Sequence, residues 1–254
     1  MEDGATGKVA FVTGASYGIG AAAALALARD GYDVAVSATR LENLAGTLQA
    51  LKPTGRRVKA VALDITSQTS IEEAYAGVIA ALGRVDVLVN NAGVNLRRAA
   101  LDITREEWDA VMAANVTGTF FMTQRMGRHL LEGGRGGRVI SIASTHAVLG
   151  APERSAYGIS KAAIAHMTRM LAVEWAPHRI LVNAVAPGRV DTPSPSRAAS
   201  AANAQYMQAM IAKIPLKRLA GAEEVAAAVA YLAGPHASYI TGQTLLLDGG
   251  LTAY

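Results

Sequence analysis

Residues 8 to 31 read KVAFVTGASYGIGAAAALALARDG, and the change of pattern along them decides the fold. Val9 to Val12 form a continuous apolar run, as expected of a strand covered on both faces; one wet face would give alternation. Gly14, Gly18 and Gly20 come next, followed by an alanine- and leucine-rich segment of high helix propensity. Strand, glycine turn and helix in this order open a β-α-β unit. The spacing is G-x3-G-x-G and not G-x-G-x-x-G. The physical demand is the same: a tight turn, close backbone approach to a pyrophosphate, and a helix N-terminus aimed at negative charge. Gly14, Ser16, Tyr17, Gly18, Ile19 and Gly20 are the candidate contacts, and a glycine turn without a ligand is the minor reading.

The pattern repeats outward from there. YDVAVSA (32–38), VKAVALD (58–64), VDVLVNN (85–91), GRVISIAS (137–144), RILVNAVAP (179–187) and TLLLDGG (244–250) are further continuous strand runs separated by helical segments. Seven strands alternating with helices predict an α/β architecture: a Rossmann-like, doubly wound, seven-stranded parallel sheet with helices on both faces. TREE at Thr104 to Glu107 predicts a capping box that opens one long helix through WDAVMAANVTGTFFMTQRMGRHLL, and EGGRGG stops it. No linker or repeat divides the chain, so residues 1–254 read as a single domain. TPSPSRAASAANAQ, from Thr192 to Gln205, breaks the pattern and places a substrate lid at 192–212.

Composition closes several routes. With 51% apolar and 17% charged residues the chain can bury a core. It has no cysteine, which excludes disulfides and thiolate chemistry, and its 5 histidines show no metal-ligand spacing, so no metal is expected. The net charge of +4 is scattered, and its one dense run, KPTGRRVK (52–59), reads as a solvated turn, so no nucleic-acid partner is expected. MEDGATGKVAFVTG resembles neither a signal peptide nor a span; no membrane partner and a cytoplasmic location are the expectations.

In an open α/β sheet, ligands bind beyond the carboxyl ends of the strands. After strand two, VSATRLENL carries Ala38 and Thr39 where an NAD site would carry a carboxylate, and Arg40 follows, able to pair with a 2′-phosphate. NADP is favoured and NAD stays open, since Glu42 or a shifted alignment would reverse the preference. After strand three, Asp64 and Ile65 stand where a carboxylate could accept from an adenine amine, with a capping aspartate as the alternative. After strand four, Asn90, Asn91, Ala92 and Gly93 let the backbone approach a cofactor. Tyr157 and Lys161 in YGISK lie one helical turn apart on one face, where a cation would lower a phenol's pKa.

TGASYGIG, NNAG, NVTG, YGISK and PGRVDT, in this order and at this chain length, resemble the short-chain dehydrogenase/reductase family over nearly the whole chain. The similarity extends to 3-oxoacyl carrier-protein reductases and to sugar and polyol dehydrogenases. The resemblance implies a catalytic set of Asn115, Ser144, Tyr157 and Lys161, with Tyr157 as acid/base, Lys161 as its activator, and Asn115 anchoring a water that links the lysine to solvent. It also implies that Val190 and Thr192 serve the nicotinamide carboxamide in a cofactor-binding turn shaped by Pro187 and Gly188, that Tyr157 and Lys161 border the cofactor, and that the protein is a homotetramer. Candidate substrate contacts are Ser144, His146, Arg154 and Tyr157, with Arg97, Arg98, Glu153, Val148 and Leu149 nearby. The expected partner is a small carbonyl or alcohol compound. The expected activity is NADP-dependent interconversion of a ketone and a secondary alcohol. The alternatives are an NAD-dependent sugar or polyol dehydrogenase and a non-catalytic dinucleotide-binding regulator.

Overall fold

The computed structural model describes residues 7–192 and 204–253. Each of the seven apolar runs forms a strand of one parallel sheet: β1 (Val9–Val12), β2 (Asp33–Ala38), β3 (Val58–Ala62), β4 (Val87–Asn90), β5 (Gly137–Ile142), β6 (Ile180–Pro187) and β9 (Thr244–Leu247). Their spatial order is β3-β2-β1-β4-β5-β6-β9. The chain winds outward from β1 to β3, returns to β4 on the other side of β1, and continues to β9. The strand order therefore reverses between β1 and β4, which opens a crevice at their carboxyl ends. Two short strands, β7 (Val190–Asp191) and β8 (Ala220–Gly221), pair separately and were not legible as apolar runs.

Both faces of the central strands are buried, so their alternate residues enter different cores, while Leu245 and Leu246 of the edge strand β9 are exposed. Ala10, Val12, Val34, Val36, Val87, Val89 and Ile140 pack on one face against Ala23 and Leu27 of α1 (Gly18–Arg29). Val225 and Val229 of a late helix, Ala222–Ala233, complete that layer, and α2 (Ala45–Leu51) adds Leu51. Val9, Phe11, Ala35, Leu88 and Val139 point the other way, onto α3 (Gln68–Leu82), α5 (Thr119–Glu132) and α6 (Ser155–Trp175). This double burial is why the strands read as continuous apolar sequence.

The expected long helix carries its capping box, with Thr104 Oγ1 accepting from Glu107 N at 3.2 Å, and it stops at Gly133. It is not one α-helix, however. Between α4 (Arg105–Met112) and α5 lies a 6-residue π turn, Ala113–Gly118. A π turn widens the helix locally and usually marks a site where side chains or neighbours demand it. Here Gly118 backs onto the carbonyl of Ile65 with no room for a Cβ, and Asn115 reaches sideways to Val94.

The segment 192–212 expected to form a lid includes the helix Ala204–Ala212, while residues 193–203 lie outside the described residues. Among the described residues no helix is long and apolar enough to cross a membrane. In the KPTGRRVK turn, Arg57 pairs with Asp33 at 2.7 Å, and the pair ties the starts of β2 and β3 together.

The sheet's opposite edge, away from the crevice, is pinned by buried polar groups. Asp86 accepts from Val9 N at 2.8 Å and from Arg84 Nε at 3.0 Å. His129 Nε2 accepts from Val85 N at 3.3 Å and lies 2.9 Å from Arg135 Nη2, a role only the neutral ring can fill. Burial, with Arg135 and Arg125 beside it, holds the ring's pKa below the usual histidine value, outweighing Asp86 and Glu132. A depressed pKa means that the unfolded chain binds the proton first. The stabilisation is complete above about pH 6.5 and is lost as the pH falls from there through the folded value. Urea midpoints measured from pH 7.5 to 5.5 are therefore expected to fall, and the fall is expected to be smaller in His129→Gln. An unchanged slope in that variant would remove His129 from the explanation.

Candidate active site

The loop after β1 shows what the three glycines are for. Gly14 has a φ of +63°, and a Cβ there would lie 2.8 Å from the Cα of Ala92, so the ends of β1 and β4 touch backbone to backbone. A Cβ on Gly18 would sit 3.0 Å from Thr192 Cγ2, which brings the PGRVDT segment to the same turn. Tyr17, the N-cap of α1, makes no side-chain cap, and no acidic residue occupies the first turn. The open helix N-terminus, with the glycine turn packed tightly beneath it, suits the pyrophosphate of a dinucleotide. The Asn91 side chain braces this turn. Its Nδ2 donates to Thr13 O at 3.1 Å and Gly14 O at 2.7 Å, so it holds the turn in shape.

The other cofactor candidates ring the crevice. Thr39 and Arg40 are exposed at the end of β2, and Arg40 enters none of the ion pairs among the described residues. Asp64 Oδ1 accepts from Thr66 N at 2.9 Å and from Thr66 Oγ1 at 2.7 Å, bonds that hold the carboxyl below its ordinary pKa. The local capping alternative is thus what its Oδ1 does. Ile65 is buried beneath the π turn. Pro187 ends β6, Gly188 N donates to Leu247 O at 2.9 Å, and Val190 lies in β7.

Asn115, Ser144, Tyr157 and Lys161 come from three separate stretches, the π turn, the end of β5 and α6, and the fold brings them together. Ser144 caps a short turn, its Oγ accepting from His146 N at 3.2 Å. Its hydroxyl lies close enough to the half-buried Tyr157 phenol to pull that group's pKa down. Lys161 Nζ stands 5.8 Å from the centroid of the Tyr157 ring and donates to Ile142 O at 2.7 Å. A methyl placed on Gly93 would lie 2.8 Å from Asn115 Oδ1 and 3.9 Å from Lys161 Nζ.

One expectation needs correction, that of a phenol made more acidic by its neighbouring ammonium. In the protein alone burial prevails and raises the pKa of Tyr157, and the opposing influences are Ser144 and Arg154. The reason is desolvation, which also lowers the pKa of Lys161 to about 8. The Asn115 side chain is tied to its neighbours. Its Oδ1 accepts from Val94 N at 2.7 Å, and its Nδ2 donates to Val94 O at 2.9 Å and to Ser160 Oγ at 2.9 Å. Both amide protons of Asn115 are thereby committed to protein partners.

Residues 14–252 match a family model described as enoyl-(acyl carrier protein) reductase. A glucose 1-dehydrogenase from Gluconobacter oxydans is 38% identical over 254 residues, spanning 100% of this chain and 95% of that protein. This chain belongs to the short-chain dehydrogenase/reductase family. A short-chain type dehydrogenase/reductase from Mycobacterium marinum superposes with a TM-score of 0.93 at 35% identity, covering 99% of this chain and 98% of that one. A protein from Agrobacterium tumefaciens assigned as a 2-deoxy-D-gluconate 3-dehydrogenase, solved with bound NADP, gives 0.89 at 34% identity and 98% coverage of both chains. The protein is an NAD(P)-dependent oxidoreductase acting on CH–OH and C=O groups.

On the substrate side of this short-chain dehydrogenase/reductase, His146 sits edge to face with Tyr157, ring centroids 6.0 Å apart. Burial, then Arg154, hold His146 below its usual pKa, so the ring is neutral. Its Nδ1 is buried with no partner at bonding distance, although the Leu149 backbone lies near enough to raise the pKa slightly. Arg154 Nη1 donates to Asn95 Oδ1 at 2.5 Å. Arg97 and Arg98 bond the side chains of Glu153 and Glu107 at 2.5 and 2.6 Å, which makes them surface ties between loops. Thr13, Ser160 and Gly118 were not singled out in the sequence. Thr13 Oγ1 accepts from Asn91 N at 3.0 Å and Ala92 N at 3.1 Å, bonds that span most of the chain between β1 and β4 and leave no local signal. Only the NVTG motif hinted at Gly118. Replacing Gly118 by Ala forces Ile65 off the π turn and is expected to cost about 3 kcal/mol of stability. A thermal midpoint within a degree of the parent would show that the turn can give way.

Proposed function

We propose that the protein is an NADP-dependent oxidoreductase that interconverts a ketone and a secondary alcohol, with Tyr157 as the acid and base. The observation that carries this reading is the half-buried Tyr157 phenol lying between Ser144 and Lys161 at the carboxyl edge of the sheet. When bound, NADP supplies or accepts the hydride. In reduction, Tyr157 Oη gives its proton to the substrate oxygen while Ser144 Oγ donates a hydrogen bond to the charge developing there. Oxidation reverses the transfer, and Tyr157 takes the hydroxyl proton. Lys161, with a pKa of about 8, is mostly protonated at neutral pH and stabilises the phenolate form during turnover.

In the same reading Gly14, Ser16, Tyr17, Gly18, Ile19 and Gly20 hold the pyrophosphate, and Thr39 and Arg40 the 2′-phosphate. Asp64 and Ile65 border the adenine, Asn91 to Gly93 the ribose side, and Val190 and Thr192 the carboxamide, in a turn shaped by Pro187 and Gly188. Arg40 without a carboxylate at Ala38 or Thr39 supports NADP over NAD. The likeness to a glucose 1-dehydrogenase supports a second reading, an NAD-dependent sugar or polyol dehydrogenase. We keep residues 192–212 as a substrate lid within one 1–254 domain. Self-assembly into a tetramer is supported by Met170 and Val173 of α6, which are 59% and 80% exposed.

Absorbance at 340 nm with NADPH or NADH against ketones, keto acids and sugars tests the reading directly, and silence across the panel favours a non-catalytic dinucleotide-binding regulator. Tyr157→Phe is expected to abolish turnover while NADPH binding stays nearly unchanged; retained turnover contradicts the acid/base role. A raised phenol pKa keeps Tyr157 protonated through neutral pH, so reduction is expected to hold there and oxidation to climb with pH. Arg40→Ala is expected to weaken NADPH binding ~10-fold or more, as loss of a charge-assisted bond should, and NADH binding little. Equal losses for the two cofactors would undo the preference.

A further inference from the structure

We propose that Ser160 is a positioning residue for the Tyr157 and Lys161 pair, a proposal that rests on the oxidoreductase reading above. Ser160 is fully buried, with 0% of its surface exposed. Its single hydroxyl proton goes to the Tyr157 backbone carbonyl at 2.7 Å, and its oxygen accepts from Asn115 Nδ2 at 2.9 Å. Asn115 then closes on the backbone of Val94 through both Oδ1 and Nδ2, at 2.7 and 2.9 Å. An unbroken run of direct hydrogen bonds thus joins the first turn of α6 to the loop after β4.

The bland explanation is that a helical serine merely bonds the carbonyl one turn back. Thr168 on the same helix does this, giving its proton to Ile164 O at 2.9 Å, with no further partner among the described residues. Ser160 differs because its oxygen also receives the π turn. The three segments it joins carry the chemistry: Tyr157 and Lys161 leave α6 on either side of Ser160, and Gly93 faces Asn115 and Lys161. Removing the hydroxyl leaves a buried amide proton of Asn115 unpaired and frees the first turn of α6 to shift against that loop. A proton donor and a hydride path tolerate little misplacement, and a shift of about 1 Å can cost ~100-fold in rate.

Ser160→Ala is therefore expected to lower kcat ~10- to 100-fold with substrate KM and NADPH Kd within about threefold, and to move the alkaline limb of the kcat/KM profile. Ser160→Cys, isosteric but a weaker donor and acceptor, is expected to lie between. A kcat within twofold of the parent overturns the proposal, as does a lowered kcat with an unmoved pH limb and no recovery in the cysteine variant. Amide exchange across residues 93–97 of the full chain reads the same link without turnover. Faster exchange in Ser160→Ala is expected, and equal exchange overturns the proposal even for a chain that reduces no carbonyl in the panel.

Discussion

Gly14 and Ala92 meet backbone to backbone, and the site depends on that contact. Parallel strands all end on one edge of the sheet, but a cofactor needs two particular ends at a fixed separation. The absence of a Cβ at Gly14 sets that separation between β1 and β4. Thr13 and Asn91 then lock it by hydrogen bonds from each strand end to the other. The open N-terminus of α1 and the stretch from Asn90 to Gly93 face the same crevice as a consequence.

Desolvation governs the chemistry placed there. A phenol and an ammonium drawn out of water both shift toward their neutral forms, Tyr157 upward and Lys161 down to about 8. The two pKa values therefore move apart, so near neutral pH the phenol keeps its proton and Lys161 is the group of the pair whose charge is easier to change. Lys161 remains tolerable in a buried place because the Ile142 carbonyl takes one of its protons.

The π turn is where the two halves of the crevice are joined. Gly118 presses on Ile65 at one end of it and Asn115 clasps Val94 near the other. One widened turn thus fixes the loops after β3 and β4 at once, and through Ser160 it also registers α6. A regular α-helix would rotate Asn115 away from one of these partners.

Local pattern was enough for the sheet. Continuous apolar runs in KVAFV, YDVAV or RILVNAVAP can be satisfied only by burial on both faces, and with helical segments between them only a doubly wound parallel sheet does that. The glycine turn and the Tyr157 to Lys161 spacing were legible for the same reason, since their geometry is set within a few residues. The environment of those groups was not. Whether Lys161 acidifies Tyr157 or burial wins, and which backbone groups the Asn91 and Asn115 side chains clasp, depends on segments distant in sequence that meet only in the folded chain. Desolvation and long-range hydrogen bonds are properties of that meeting, so the tertiary structure alone decided them.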